Sequence, residues 1–156
     1  MGWLWQCICQ CLKLHQKFQV KLREVDKIKI KKKISSPLTL AKLVANLAKD
    51  KKAEDIVILD LRKVCNFCDF FVIMTGSAEI HIKTLTEYIV TEIKKQYGIV
   101  PHHTEGEEYG RWVVIDYITV VVHIMLNELR EFYALEKIWA KGKKVSYERK
   151  NKKSTK

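Results

Sequence analysis

The chain contains no apolar run approaching the ~20 residues needed to span a bilayer, so its hydrophobic residues, 47% of the total, are available for a core. It also lacks the charge order of a secretory signal peptide, where positive residues come first, because Trp3, Leu4 and Trp5 precede the lysines. Its five cysteines are odd in number and lack the spacing of a secreted disulfide framework, which points to a reducing compartment. There is no internal repeat. No G-x-x-x-x-G-K-[ST] or G-x-G-x-x-G phosphate loop surrounds Gly76-Ser77, so that pair reads as a structural turn.

Catalytic and metal-binding sets are missing in the same way. Nucleotidyl transfer with magnesium wants two acids on one strand and a third nearby. Asp60 is followed by Leu61-Arg62 and Asp116 by Tyr117-Ile118, so neither supplies the pair. Cys65-Asn66-Phe67-Cys68 is a lone C-x-x-C without the two further ligands zinc needs, and it precedes a strand where a redox pair would follow one. Both cysteines read as packing residues. Cys7, Cys9 and Cys11 alternate in an amino-terminal arm and carry no defined role. His123 stands between apolar neighbours and reads as a hydrogen-bonded structural residue.

Positive charge is present but segregated. Of a net charge of +11, residues 1–34 hold nine Lys/Arg against Glu24 and Asp26, and residues 141–156 hold eight against Glu148. The 12 basic and 15 acidic residues between leave the middle mildly acidic, better suited to a basic protein partner than to bare phosphates. Three segments follow: a basic extension over 1–35, disordered or weakly ordered, unless translation starts downstream of Met1; a folded domain over 36–140; and a basic, disordered tail over 141–156.

The domain opens with Ser36 as N-cap and Pro37 at the first helical position. Leu40, Leu43, Val44 and Leu47 then mark a buried helix face. Residues 56–61 and 70–74 are short apolar runs that read as buried strands. Residues 78–97 read as a helix with Ile82, Leu85, Ile89 and Ile93 on one side, closed by Gly98. An extended segment starts at Val100-Pro101, and Glu105 to Gly110 forms a polar turn. Trp112 to Met125 is too long for one average strand of ~5–6 residues, so a break near Asp116-Tyr117 makes it a hairpin. Asn127 caps a last helix with Leu129, Phe132, Leu135 and Trp139 toward the core and Arg130, Tyr133 and Lys137 on another face. The order is α-β-β-α-β-β-β-α, an α/β fold with a mixed sheet and packed helices. Trp112, Asp116, Tyr117, Arg130 and Tyr133 are aromatic or charged residues near the last elements, a composition common in binding hot spots. Composition alone leaves each open between core and interface.

In this order and spacing, the chain resembles the ribosomal silencing factors, or Iojap family, over about Leu40 to Trp139. The resemblance rests on Ala53-Glu54-Asp55-Ile56-Val57 with Asp60 and Arg62, Asp69-Phe70-Phe71-Val72-Ile73, and Thr75-Gly76-Ser77 with His81. It continues through Glu105-Gly106, Trp112-Val113-Val114-Ile115-Asp116-Tyr117, Val121-Val122-His123, Arg130-Glu131-Phe132-Tyr133, Leu135-Glu136 and Trp139. It implies a nucleotidyltransferase-like fold without transferase activity, which agrees with the missing acid pair; no enzyme activity, cofactor or metal is expected. It further implies docking on the large ribosomal subunit through its universal protein fourteen, steric exclusion of the small subunit, and lowered translation when nutrients are scarce. Trp112, Asp116 and Tyr133 carry over as docking residues, with Tyr117 and Arg130 as neighbours. One departure stands out: the family usually follows its Asp-Tyr pair with Gly-Asp, whereas Ile118-Thr119 stands here, and both are poor at the φ > 0 positions of tight turns. The basic arms are expected to add contacts to ribosomal RNA. The alternative is a general RNA-binding or ribosome-assembly protein acting through those arms. The first 34 residues hold one Arg and no Ser, unlike a mitochondrial targeting segment, so a bacterial cytoplasm fits better than an organelle.

Overall fold

The computed structural model describes residues 34–147. The expectations for residues 1–33, including Cys7, Cys9 and Cys11, and for residues 148–156 lie outside them. Helix α1 (Pro37–Asp50) starts as expected: Ser36 is extended, and its Oγ accepts from the Thr39 amide at 3.3 Å. Leu40, Val44 and Leu47 are buried together with Ala41, Ala45 and Ala48, whose small side chains let the helix lie close to the sheet. Strands β1 (Glu54–Asp60) and β2 (Phe70–Thr75) follow. Helix α2 (Glu79–Tyr97) buries Ile82, Leu85, Ile89 and Ile93 and ends at Gly98 with φ 71°, where glycine carries no Cβ penalty. Then come β3 (His103–Glu105), β4 (Trp112–Asp116) and β5 (Val120–Met125), with the hairpin break where the sequence places it.

The six strands form one mixed sheet in the order β3-β4-β5-β2-β1-β6, where β6 is Lys143–Val145. Among the described residues β2 and β5 run parallel and the other pairings are antiparallel. Period-two alternation sorts side chains onto two faces. Phe70, Val72, Met74, Val113, Ile115, Val120, Val122 and Ile124 meet α1 and α2 in the main core. Leu59, Leu61, Phe71, Ile73 and Val121 form a smaller core on the other face, covered by Cys65, Phe67 and Cys68 from the β1–β2 loop and by Leu135 and Trp139. The C-x-x-C pair is therefore packing material for that cover: Cys68 is buried and Cys65 partly so.

The last part of the chain differs from expectation in four ways. The single final helix is two short ones, α3 (Asn127–Tyr133) and α4 (Leu135–Ile138), separated by Ala134 at φ 42°. Asn127 is the first helical residue rather than the cap, and its Nδ2 donates to Glu131 Oε1 at 2.7 Å. Phe132, expected in the core, is 78% exposed, because the break at Ala134 turns only Leu135 and Trp139 back onto the sheet. The chain also stays in the fold past Lys141. Lys143–Val145 pairs antiparallel with Ile58–Asp60, putting lysines on an outer edge, where they deter further pairing.

Candidate functional site

Alternation along β4 puts Trp112, Val114 and Asp116 on the face opposite the long helices. The half-buried indole of Trp112 lies against the Tyr133 ring of α3, centroids 4.9 Å apart and tilted by 47°. Its Nε1–H donates to His123 Nδ1 over a long 3.4 Å. This bond needs Nδ1 unprotonated, so the neutral ring carries its proton on Nε2, which has no partner among the described residues. Burial favours that state and lowers the His123 pKa to about 4, against the opposing pull of Glu136. Beyond His123 the rings continue inward to Phe71 at 4.8 Å, and from there to Trp139 at 5.5 Å. Trp112 and Tyr133 are thus the outer end of an aromatic row rooted in the smaller core. Phe132 meets Tyr133 edge-on at 5.1 Å and extends the row into solvent.

Asp116 shares this face at the far end of β4, about 13 Å from Trp112 by strand rise. Its Oδ1 accepts from the Ile118 amide at 2.6 Å, and Oδ2 lies 4.0 Å from His102 Nδ1. The bond to Ile118 supports the unusual turn: Ile118 does adopt the left-handed region, φ 71°, at a strain of order 1–3 kcal/mol for a residue of this kind. The segments that flank the site are net acidic: Glu107 and Glu108 are exposed on the turn before β4 and Glu128 and Glu131 on α3, with Arg111 lying 3.8 Å from both Glu79 and Glu128.

Two expected site residues are placed differently. Tyr117 has the opposite parity from Asp116 and is 6% exposed in the main core, where burial raises its pKa; it offers no docking surface. Arg130 is not a free cation. Its guanidinium donates to Glu136 Oε1 at 2.9 and 2.5 Å and to Thr75 Oγ1 at 2.8 Å, tying α3 to α4 and to the end of β2. Phe132 and His123 were missed as parts of this site. Adjacent helical positions send the Phe132 and Tyr133 rings in different directions, but that spacing alone does not say which of the two is exposed.

The turn at Gly76-Ser77 is filled by the protein itself. A Cβ at Gly76 would stand 2.5 Å from Ile82 Cγ1. The Ser77 amide donates to His81 Nδ1 at 3.1 Å, and His81 Nε2 reaches the Lys51 carbonyl at 2.8 Å. Asp60 and Asp116 belong to strands three spacings apart, about 14 Å.

Comparison with known proteins decides the family. The family described as ribosomal silencing factor during starvation matches residues 34–156. The chain belongs to the ribosomal silencing factors. A silencing factor from Halalkalibacterium halodurans is 35% identical over 109 residues, covering 70% of this chain and 92% of that protein. One from Bacillus subtilis is 33% identical, covering 65% and 85%. A crystal structure of a Chromobacterium violaceum protein superposes with a TM-score of 0.65 at 30% identity, over 76% of this chain and 97% of the other. As a ribosomal silencing factor, this α/β protein is associated with the ribosome and with regulation of translation. Its relatives carry the name of a regulator, not of an enzyme.

Proposed function

We propose that this silencing factor docks by the Trp112–Tyr133 row and Asp116 onto the intersubunit side of the large ribosomal subunit, against universal large-subunit protein fourteen. The bound factor then stands where the small subunit must approach, and translation falls when nutrients are limiting. It acts in a bacterial cytoplasm, by occupying space and not by catalysis, and its basic arms add contacts to ribosomal RNA.

The observation that carries this reading is the row of rings. Its inner members are packed against the sheet, whereas Phe132 is exposed and Trp112 and Tyr133 are partly exposed, between segments that are net acidic. Rigid aromatics lose little conformational entropy on binding, and the acidic rim suits a basic ribosomal protein. Trp112→Ala and Tyr133→Ala are each expected to weaken co-sedimentation with purified large subunits by roughly 30-fold, ~2 kcal/mol. Melting curves must first show that both variants fold. Two folded variants that bind as tightly as the unsubstituted protein would remove this face from the reading.

A further inference from the structure

At the other edge of the sheet the chain builds a feature of opposite charge. A cleft of about 510 Å³ opens between the segment after β1 and the turn that leads from α4 into β6. Asp60, Arg62, Lys63, Val64, Lys141 and Lys143 line it. Its single carboxylate is already engaged: Arg62 Nε and Nη2 donate to Asp60 Oδ1 and Oδ2 at 2.9 and 2.6 Å. Lys63, Lys141 and Lys143 are exposed and make no ion pair among the described residues.

The backbone sets this arrangement. Lys143 sits opposite Asp60 in the β1–β6 register. Gly142 donates its amide to the Trp139 carbonyl at 2.8 Å. A Cβ at Gly142 would stand 2.6 Å from Leu61 Cδ2 and 3.1 Å from the Trp139 carbonyl oxygen, so glycine lets the turn lie against the end of β1. Lys141 and Lys143 therefore flank a close backbone contact and face Arg62 and Lys63 across the cleft.

The lining selects the ligand class. Small-molecule sites are lined mostly by hydrophobic and aromatic side chains, whereas Arg62, Lys63, Lys141 and Lys143 bring cations here and Val64 is the one hydrophobic side chain among the described lining residues. Among the described residues no aromatic side chain lines the cleft on which a base could stack. Several cations along an open groove match a repeating anion, and phosphate contacts supply most of the sequence-independent affinity for nucleic acid. The chain beyond β6 continues with Arg149, Lys150, Lys152, Lys153 and Lys156.

We propose that this cleft holds the phosphodiester backbone of RNA. This deepens the ribosome-docking reading and rests on it for the identity of the RNA. The domain then makes a two-sided contact. Its acidic aromatic face meets protein, and its basic cleft, four strand spacings or about 19 Å away across the sheet, meets RNA.

The test uses the full chain and a short fluorescein-labelled single-stranded uridine oligonucleotide, read by anisotropy over a range of KCl. Lys63→Ala/Lys141→Ala/Lys143→Ala is compared with Lys42→Ala/Lys94→Ala/Lys95→Ala, which removes the same charge from the two long helices. The cleft variant is expected to bind at least tenfold more weakly at about 0.1 M salt, with its salt slope lowered by about 2. The helix variant is expected to change less than threefold. Equal losses in the two variants would overturn the site, as would competition by polyglutamate equal to that by RNA of the same charge. Failure of the docking reading is visible separately. Trp112→Ala tests it by co-sedimentation and is expected to leave oligonucleotide binding unchanged.

Discussion

Over the helix-covered face, Ile82, Leu85, Ile89 and Ile93 of α2 and the alanine side of α1 shut water out along the sheet, whereas the opposite face is closed only in part, by a loop and two short helices. The first face is built from long elements whose burial is complete, and stability concentrates there. The second buries Phe71, Ile73 and Val121 but leaves Trp112 and Tyr133 half-covered at its margin. That margin can be altered without emptying the main core. Substitutions on the two faces should therefore fail in different ways: loss of fold on one, loss of partner on the other.

The largest effect is expected on the closed face. Ile89→Ala removes a fully buried side chain and should cost about 2–5 kcal/mol of stability, seen as a lowered Tm. The fraction still folded should bind large subunits normally. A clear loss of affinity in that folded fraction would break the division.

An intermediate effect is expected from pH, through His123 at the boundary between core and margin. Its folded pKa is lowered to about 4 by burial, against an ordinary value near 6.5. Between those values the unfolded chain binds a proton that the folded chain does not. Stability is therefore full above about pH 6.5 and falls by roughly 1 kcal/mol per pH unit as pH drops toward 4. Denaturant melts across this window should show the slope, and His123→Gln should flatten it.

The smallest stability effect is expected at Phe132. Because its ring is exposed, Phe132→Ser should change stability by less than about 0.5 kcal/mol. It should still weaken docking about fivefold, ~1 kcal/mol, in a co-sedimentation titration. A melting shift as large as that of Ile89→Ala would mean that Phe132 is covered in solution.

What was legible in the sequence is local. Ser36-Pro37 announces α1, Gly98 ends α2, and continuous apolar runs mark β1 and β2, because capping, left-handed glycine and two-sided burial each leave a short-range signature. The parity of β4 was also available: Trp112 and Asp116 share a face, and Tyr117, one residue further, had to face the other way. The illegible parts depend on contacts distant in sequence. Nothing about Ala134 demands φ 42°; the break is compensated by Arg130 bridging to Glu136 and Thr75, which no helical spacing reveals. Lys143–Val145 reads as tail because its strand identity comes from the β1 edge it joins. The cleft of Arg62, Lys63, Lys141 and Lys143 is assembled the same way, from segments about 80 residues apart.

The most direct test of the docking face is a density map of the full chain bound to a purified large subunit. The account expects the Trp112, Phe132 and Tyr133 rings and the Asp116 carboxylate packed against universal large-subunit protein fourteen. A bound factor that turns this face to solvent and touches the subunit by the helix-covered side would contradict it.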